Sequence, residues 1–227
     1  SSRNRQLLEW MKLAGVVYDT KLLSFVDDGV VHDHLTPEQV KIVARRNISA
    51  MTKIGRIPKS ACLSVFNVPA IMKRLHKFAM EDDADLSLAA AITHEIVIGK
   101  KSRWYGYLHS LPKDGEFVPL LWPDPFLEYL RPSELYEEIV ENKLRYRFQW
   151  DTQVEPLLQD ALGAKGSKNL EFLDFLRAVS FAGSRAFYVD DDHGEALVPL
   201  ADMFNHKPAF VPTDMEVEGG PSEDESN

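Results

Sequence analysis

Leu7, Leu8 and Met11 recur at helical spacing within residues 5–14, and Gly15 follows them. The spacing predicts a short amphipathic helix that stops at the glycine. Further on the period changes from near four to two. Val40, Ile42 and Ala44 alternate with Lys41, Val43 and Arg45, which predicts a half-buried strand over 40–48. Residues 53–57, ending before Pro58, are its expected hairpin partner, and Thr36-Pro37-Glu38 reads as a turn or loop. From Asp85 the pattern is helical again: Leu88, Ala91 and Ile92 share a face with Glu95 and Ile96, and Gly99 with Lys100 and Lys101 marks a C-terminal stop. Segments 133–141 and 170–182 are further helices, the second ending at Gly183, and 196–200 reads as a short buried strand. Helices therefore fill the middle and strands flank it. That order does not suit a doubly wound sheet, which needs regular strand–helix alternation. It suits an α+β chain in which a small β-rich domain is split by a helical insertion. No internal repeat is evident.

Composition narrows this picture. A chain of 227 residues with 44% hydrophobic and 10% aromatic residues is long enough for one large or two small domains. Its single cysteine, Cys62, has no partner for an internal disulfide, which points to a reducing compartment, cytoplasmic or nuclear. No N-terminal stretch reads as a signal peptide, and the most apolar stretch, 86–98, contains His94 and Glu95 and is too short to span a bilayer. No membrane association is expected. The net charge of −9 is concentrated late: beyond His206, Asp214, Glu216, Glu218, Glu223, Asp224 and Glu225 face only Lys207. Nucleic acid is a poor partner for such a chain, because phosphate binding needs clustered Lys and Arg. Residues 213–227 read as an acidic disordered tail.

The densest chemistry lies in two late junctions. Gly183-Ser184-Arg185-Ala186-Phe187 is a small-residue stretch carrying one Arg, and Leu197-Val198-Pro199-Leu200-Ala201-Asp202-Met203-Phe204-Asn205-His206 is an apolar run that stops at a polar cluster. Their wording, Ser-Arg-Ala-Phe and Ala-Asp-Met-x-Asn-His, resembles the signature of SET-domain protein-lysine methyltransferases of the Rubisco large-subunit methyltransferase branch. The block 36–48, with its Ala-x-x-x-Ile ending, resembles an earlier part of the same family. The middle, Ser102-Arg103-Trp104-Tyr105-Gly106-Tyr107-Leu108 with Pro119-Leu120-Leu121-Trp122, is similar to the family's insertion; there Trp104 and Trp122 read as core.

The resemblance implies a SET-type fold with a helical lead-in over 1–35, SET portions over 36–84 and 181–212, and a helical insertion over 85–180. It implies S-adenosyl-L-methionine as cofactor and a protein substrate that presents a lysine, non-histone and possibly ribosomal. Glu38, Val40, Arg185, Asn205 and His206 are then the cofactor-binding residues, with Arg185 approaching the cofactor carboxylate. Ser184, Arg185 and Asp202 frame the channel for the lysine, through the carbonyls of Ser184 and Asp202. The implied reaction is an in-line methyl transfer to a neutral amine. A free lysine has a pKa of about 10.4, so presenting the neutral form near pH 7.4 costs ~4 kcal/mol, a cost that an apolar channel lowers.

Two departures matter. Gln39 and Lys41 stand where the family has glycines, and the tyrosine motif that completes the family's channel is not found: no tyrosine lies beyond Tyr188, so no catalytic residue is assigned. The expectation is a chain that stops before that motif, as a fragment of a longer protein. The alternatives are a catalytically inactive SET-like module that binds a protein partner, or a histone-lysine or protein-histidine methyltransferase. His32 and His34 beside Asp27, Asp28 and Asp33 read as a solvated loop and not a metal site, and 190–193 as an exposed turn. Gly-x-Ser-x-Gly, P-loop and Gly-x-Gly-x-x-Gly runs are absent, which argues against hydrolase, ATPase and Rossmann functions. Oligomeric state is not legible in the sequence.

Overall fold

Residues 2–27 and 40–204 are described in the structure, a computed structural model. Helix α1 (Ser2–Leu13) buries Leu7 and Met11, and Gly15 reverses the chain at φ 76°. Only glycine takes such a value without steric cost. The helical character of the lead-in ends there, because Val17–Tyr18 forms β1 and Leu23–Asp27 forms β2.

The expected hairpin of 40–48 with 53–57 is not formed. β3 (Val40–Ala44) pairs antiparallel with β2, Leu23 opposite Ala44 and Asp27 opposite Val40. β4 (Gly55–Arg56) pairs instead with β1, Val17 opposite Arg56. Beyond Ala44 the pairing carries on for one bond, the Arg45 backbone N–H donating to the Leu22 carbonyl at 2.8 Å, and the Arg45 Nε–H donates to the Leu23 carbonyl at 3.1 Å. Alternation within β3 is as expected at its start, where Val40 and Ile42 are buried.

β5 (Leu63–Ser64) follows, then a short α2 (Pro69–Met72) and α3 (Ala84–Ile98). The side chain of Asp83 caps α3 by accepting the Leu86 N–H at 2.9 Å, and Gly99 ends it at φ 53°. Every residue from Leu86 to Glu95 is buried, so α3 is the central helix and not a surface one. Its run Ala89-Ala90-Ala91 lets neighbours approach closely. Among the described residues, no helix is long and apolar enough to cross a membrane.

Trp104 and α4 (Tyr105–Leu108) tie this middle to the N-terminal part. Trp104 is 2% exposed and its indole N–H donates to the Ala61 carbonyl at 2.9 Å. Trp122, by contrast, is only partly buried. α4 packs on α1 through Gly106, where an added Cβ would stand 2.9 Å from Trp10 Cγ and closer still to its Cβ. Gly106→Ala must push α1 away, and we expect it to lower stability by about 1–3 kcal/mol in urea unfolding. An unchanged midpoint would mean that α1 shifts freely.

After α5 (Asp124–Leu127), helix α6 (Glu134–Gln149) is much longer than the predicted 133–141. It runs on through a π turn, Trp150–Val154, into α7 (Glu155–Gly166). Pro156 lies at the start of α7; a proline clashes with the carbonyl four residues back, and a widened turn relieves that clash without breaking the helix. The turn buries Trp150 against Phe172 and Phe175 of α8 (Phe172–Arg185). α8 packs along α3, and the chain then forms β6 (Ala186–Tyr188) and β7 (Glu195–Leu197). Sheet order is β5-β7-β6, antiparallel throughout. The strand expected over 196–200 thus stops at Leu197.

Candidate active site

The helix expected to end at Gly183 continues for a further turn. Gly183 does not take a positive φ, and the Ala186 N–H closes the helix on the Ala182 carbonyl. Ser184 and Arg185 are therefore the last residues of α8 and not a turn. The carbonyls of a last helical turn lack intrahelical partners and carry the negative end of the helix dipole. Ser184 is exposed at this end.

Strands β6 and β7 fix what lies beside it. Ala186 sits opposite Leu197, so the start of β6 is level with the exit of β7. The turn between them is closed by Asp190, which accepts the His193 backbone N–H at 2.9 Å and pairs with Lys59 and with His193 Nδ1. Lys59 first, then His193, hold the Asp190 carboxyl down at about 2. Beyond β7, Leu200 takes φ 80° and ψ −49°, close to a γ-turn that non-glycine residues avoid. Such strain costs on the order of 1–3 kcal/mol. Leu200 is 3% exposed and packs against β4; burying a leucine contributes about 1.5–3 kcal/mol, enough to offset it. The tight turn swings Asp202 inward, its N–H donating to the Val198 carbonyl at 3.1 Å.

Four charged or phenolic side chains meet there. Arg185 donates through Nε to Glu116 Oε1 at 2.5 Å, and through Nη1 to the Asp202 carbonyl at 3.3 Å and to Asp202 Oδ2 at 3.4 Å. Tyr107 Oη donates to the same Oδ2 at 2.7 Å. The Asp202 side chain is 0% exposed, and its other oxygen, Oδ1, is buried without a hydrogen-bond partner among the described residues. Burial pushes the Asp202 carboxyl up to about 6, against the pull of Arg185 and then Tyr107. Burial opposes the Arg185 charge as well, but Asp202 and Glu116 outweigh it and keep the guanidinium above its ordinary value. Burial first, then Asp202, drive the Tyr107 hydroxyl well above its own.

The Asp202 shift has a defined sign. The unfolded chain releases this proton near 3.8 and the folded protein near 6, so the group's stabilising contribution is complete below pH 4 and is lost as pH rises through about 6. A rise from 3.8 to about 6 corresponds to about 3 kcal/mol. In urea unfolding, the stability of the native protein relative to Asp202→Asn is expected to fall by about that amount between pH 4 and pH 7. A difference that stays constant with pH would show that Asp202 does not titrate in this window.

Of the residues singled out in the sequence, Arg185 and Asp202 are in contact and Ser184 adjoins them. Val40 opens β3 in the core, and β3 packs on the turn Ala201–Met203 that carries Asp202. Glu38, Asn205 and His206 lie outside the described residues, as do His32, His34 and the tail. Among the described residues, no group of three or more His, Cys, Asp or Glu is arranged to hold a metal. Cys62 is buried, and burial pushes its thiol up. Sequence reasoning missed Tyr107, quoted only as part of the resemblance to the insertion, and Glu116, not read at all. Burial of Arg185 demands a carboxylate partner, but with 35 acidic residues in the chain nothing local marks Glu116 as the one.

No known family model matches the chain. Among solved structures, the SET domain of LSMT bound to lysine and AdoHcy superposes with a TM-score of 0.70 at 20% identity, over 91% of this chain and 45% of that one. Rubisco LSMT bound to AdoMet does so with a TM-score of 0.70 at 20% identity, over 94% and 47%.

The chain has the SET-domain fold.

Among curated proteins, the chloroplastic [fructose-bisphosphate aldolase]-lysine N-methyltransferase of Arabidopsis thaliana is 25% identical over 220 residues, 94% of this chain and 42% of that protein. An uncharacterized protein of Schizosaccharomyces pombe is 31% identical over 212 residues, 88% of this chain and 42% of its own length. The SET chain thus spans less than half the length of the curated relatives it matches. Within this SET fold, the Arg185–Asp202 junction is formed by the two segments on which the sequence resemblance rests.

Proposed function

We propose that this SET chain belongs to an S-adenosylmethionine-dependent protein-lysine N-methyltransferase whose substrate is a non-histone, possibly ribosomal, protein. The observation that carries this reading is the Arg185–Asp202 junction at the end of α8. The likeness to a lysine methyltransferase and to structures bound to AdoMet supports it. The single cysteine supports a cytoplasmic or nuclear site of action.

The donor set fits the cofactor. Arg185 has Nε and Nη1 engaged, while Nη2 has no partner among the described residues; it is a rigid, charged donor suited to a carboxylate. Arg185 would take the cofactor carboxylate, and Glu38, Val40, Asn205 and His206 would hold the remainder. When bound, S-adenosylmethionine supplies a methyl group already activated on a sulfonium. The Ser184 carbonyl, at the negative end of α8, and the Asp202 carbonyl accept N–H groups of the incoming lysine and align its amine.

The test uses the full-length protein. Calorimetry is expected to show S-adenosylmethionine binding that Asn205→Ala abolishes with the circular dichroism spectrum unchanged. Radiolabelled methyl groups are expected on lysine in a protein of cell extract. Unchanged affinity in the variant would overturn the site assignment, and no labelled lysine in any protein would overturn the activity.

A further inference from the structure

Arg185 and Asp202 are held by two residues that come from the helical middle and belong to neither sequence junction. Glu116 lies on the loop after Leu111, and its position is built in steps. Gly115 has φ 87°, and a Cβ there would stand 3.0 Å from Ser180 Oγ and closer still to Leu121 Cδ1, so only glycine fits. This lets the Glu116 N–H donate to Ser180 Oγ at 3.1 Å, which docks the loop on α8 ahead of Arg185. The Glu116 carboxylate, 11% exposed, then meets Arg185 Nε, and Tyr107, 0% exposed, meets Asp202 Oδ2 from the other side. With Nε tied to Glu116 and Nη1 to Asp202, the guanidinium plane is fixed at two of its three nitrogens. Nη2 alone points to nothing among the described residues.

We propose that Glu116 and Tyr107 are positioning residues that lock the Arg185 guanidinium so that Nη2 is presented to the carboxylate of the methyl donor. This rests on the reading of Arg185 as a cofactor-binding residue. A charge-assisted hydrogen bond contributes only when its donor is held in line, because a mobile arginine loses side-chain entropy on every engagement. Neither residue needs to touch the cofactor.

The experiment compares two ligands on the full-length protein by calorimetry: S-adenosylmethionine and decarboxylated S-adenosylmethionine, which lacks only the carboxylate. The native protein is expected to prefer the carboxylated ligand by about tenfold or more, the worth of one charged hydrogen bond. Glu116→Ala and Tyr107→Phe are expected to reduce that preference at least about fivefold, while Glu116→Gln, which keeps an acceptor for Nε, stays within about twofold of native. A purely structural role lowers both affinities together and leaves the ratio intact. That outcome in both Glu116→Ala and Tyr107→Phe overturns the proposal. If Glu116→Ala does not fold, Tyr107→Phe decides. A native protein that binds both ligands equally, or neither, overturns the reading of Arg185 itself, and is told apart because it shows before any substitution is made.

Discussion

Replacing Arg185 by alanine is expected to destabilise the protein by about 3–5 kcal/mol at pH 7, the usual penalty for breaking a buried ion pair from one side. The reason lies in what remains. Asp202 is 0% exposed at its side chain and Glu116 11%, and without the guanidinium these two carboxylates share a buried site with no counter-charge among the described residues. Repulsion and desolvation then act in the same direction. Asp202 responds by holding its proton to higher pH, so the loss shrinks on acidification: below about pH 5 the neutral Asp202 carboxyl no longer needs the cation. Urea unfolding of native protein and Arg185→Ala at pH 5 and pH 7 measures this directly. Arg185→Lys is expected to recover only part of the loss, because its donors all sit on one nitrogen, whereas the guanidinium meets Glu116 from Nε and Asp202 from Nη1. A loss below about 1 kcal/mol at pH 7 would class the group with surface ion pairs and contradict its burial.

Trp104→Ala is expected to cost about 3–5 kcal/mol, and Trp104→Phe clearly less. Trp104 is 2% exposed and lies between the segment leading to β5 and helix α4. The alanine variant leaves a cavity of indole size and strips the Ala61 carbonyl of its N–H donor. It also removes the platform on which the Arg103 guanidinium rests, 4.1 Å above the ring. Phenylalanine keeps most of the bulk and loses chiefly the hydrogen bond, which is worth about 1 kcal/mol. The gap between the two variants in urea unfolding therefore separates packing from hydrogen bonding. If both cost the same, the indole N–H and not the ring volume joins these parts, against the expectation from its burial.

Local periodicity was a reliable guide wherever an element's own neighbours decide its form. The helix at the N-terminus, the start of β3, and α3 with its glycine stop are legible because caps, glycines and apolar spacing act within a few residues. Failures occur where a distant contact outweighs the local signal. β3 and β4 pair with β2 and β1 instead of with each other, and the alternation within a strand fixes which face is buried without naming the partner strand. α6 passes its expected end because Trp150 gains burial against Phe172 and Phe175, and a π turn absorbs Pro156. Gly183, a stop by composition, keeps helical geometry because nothing there requires a left-handed residue.

At the site the division is sharper. The sequence alone determined that two polar junctions, around Arg185 and around Asp202, belong to a SET-type fold, since residue identity and order in a motif survive without coordinates. Only the tertiary structure decided that they touch, that Leu200 bends the chain to make them touch, and that Tyr107 and Glu116 complete the cluster. Those partners lie 95 and 69 positions away in the chain. A buried charge selects its counter-ion by distance and desolvation in three dimensions, and neither quantity is written in the order of residues.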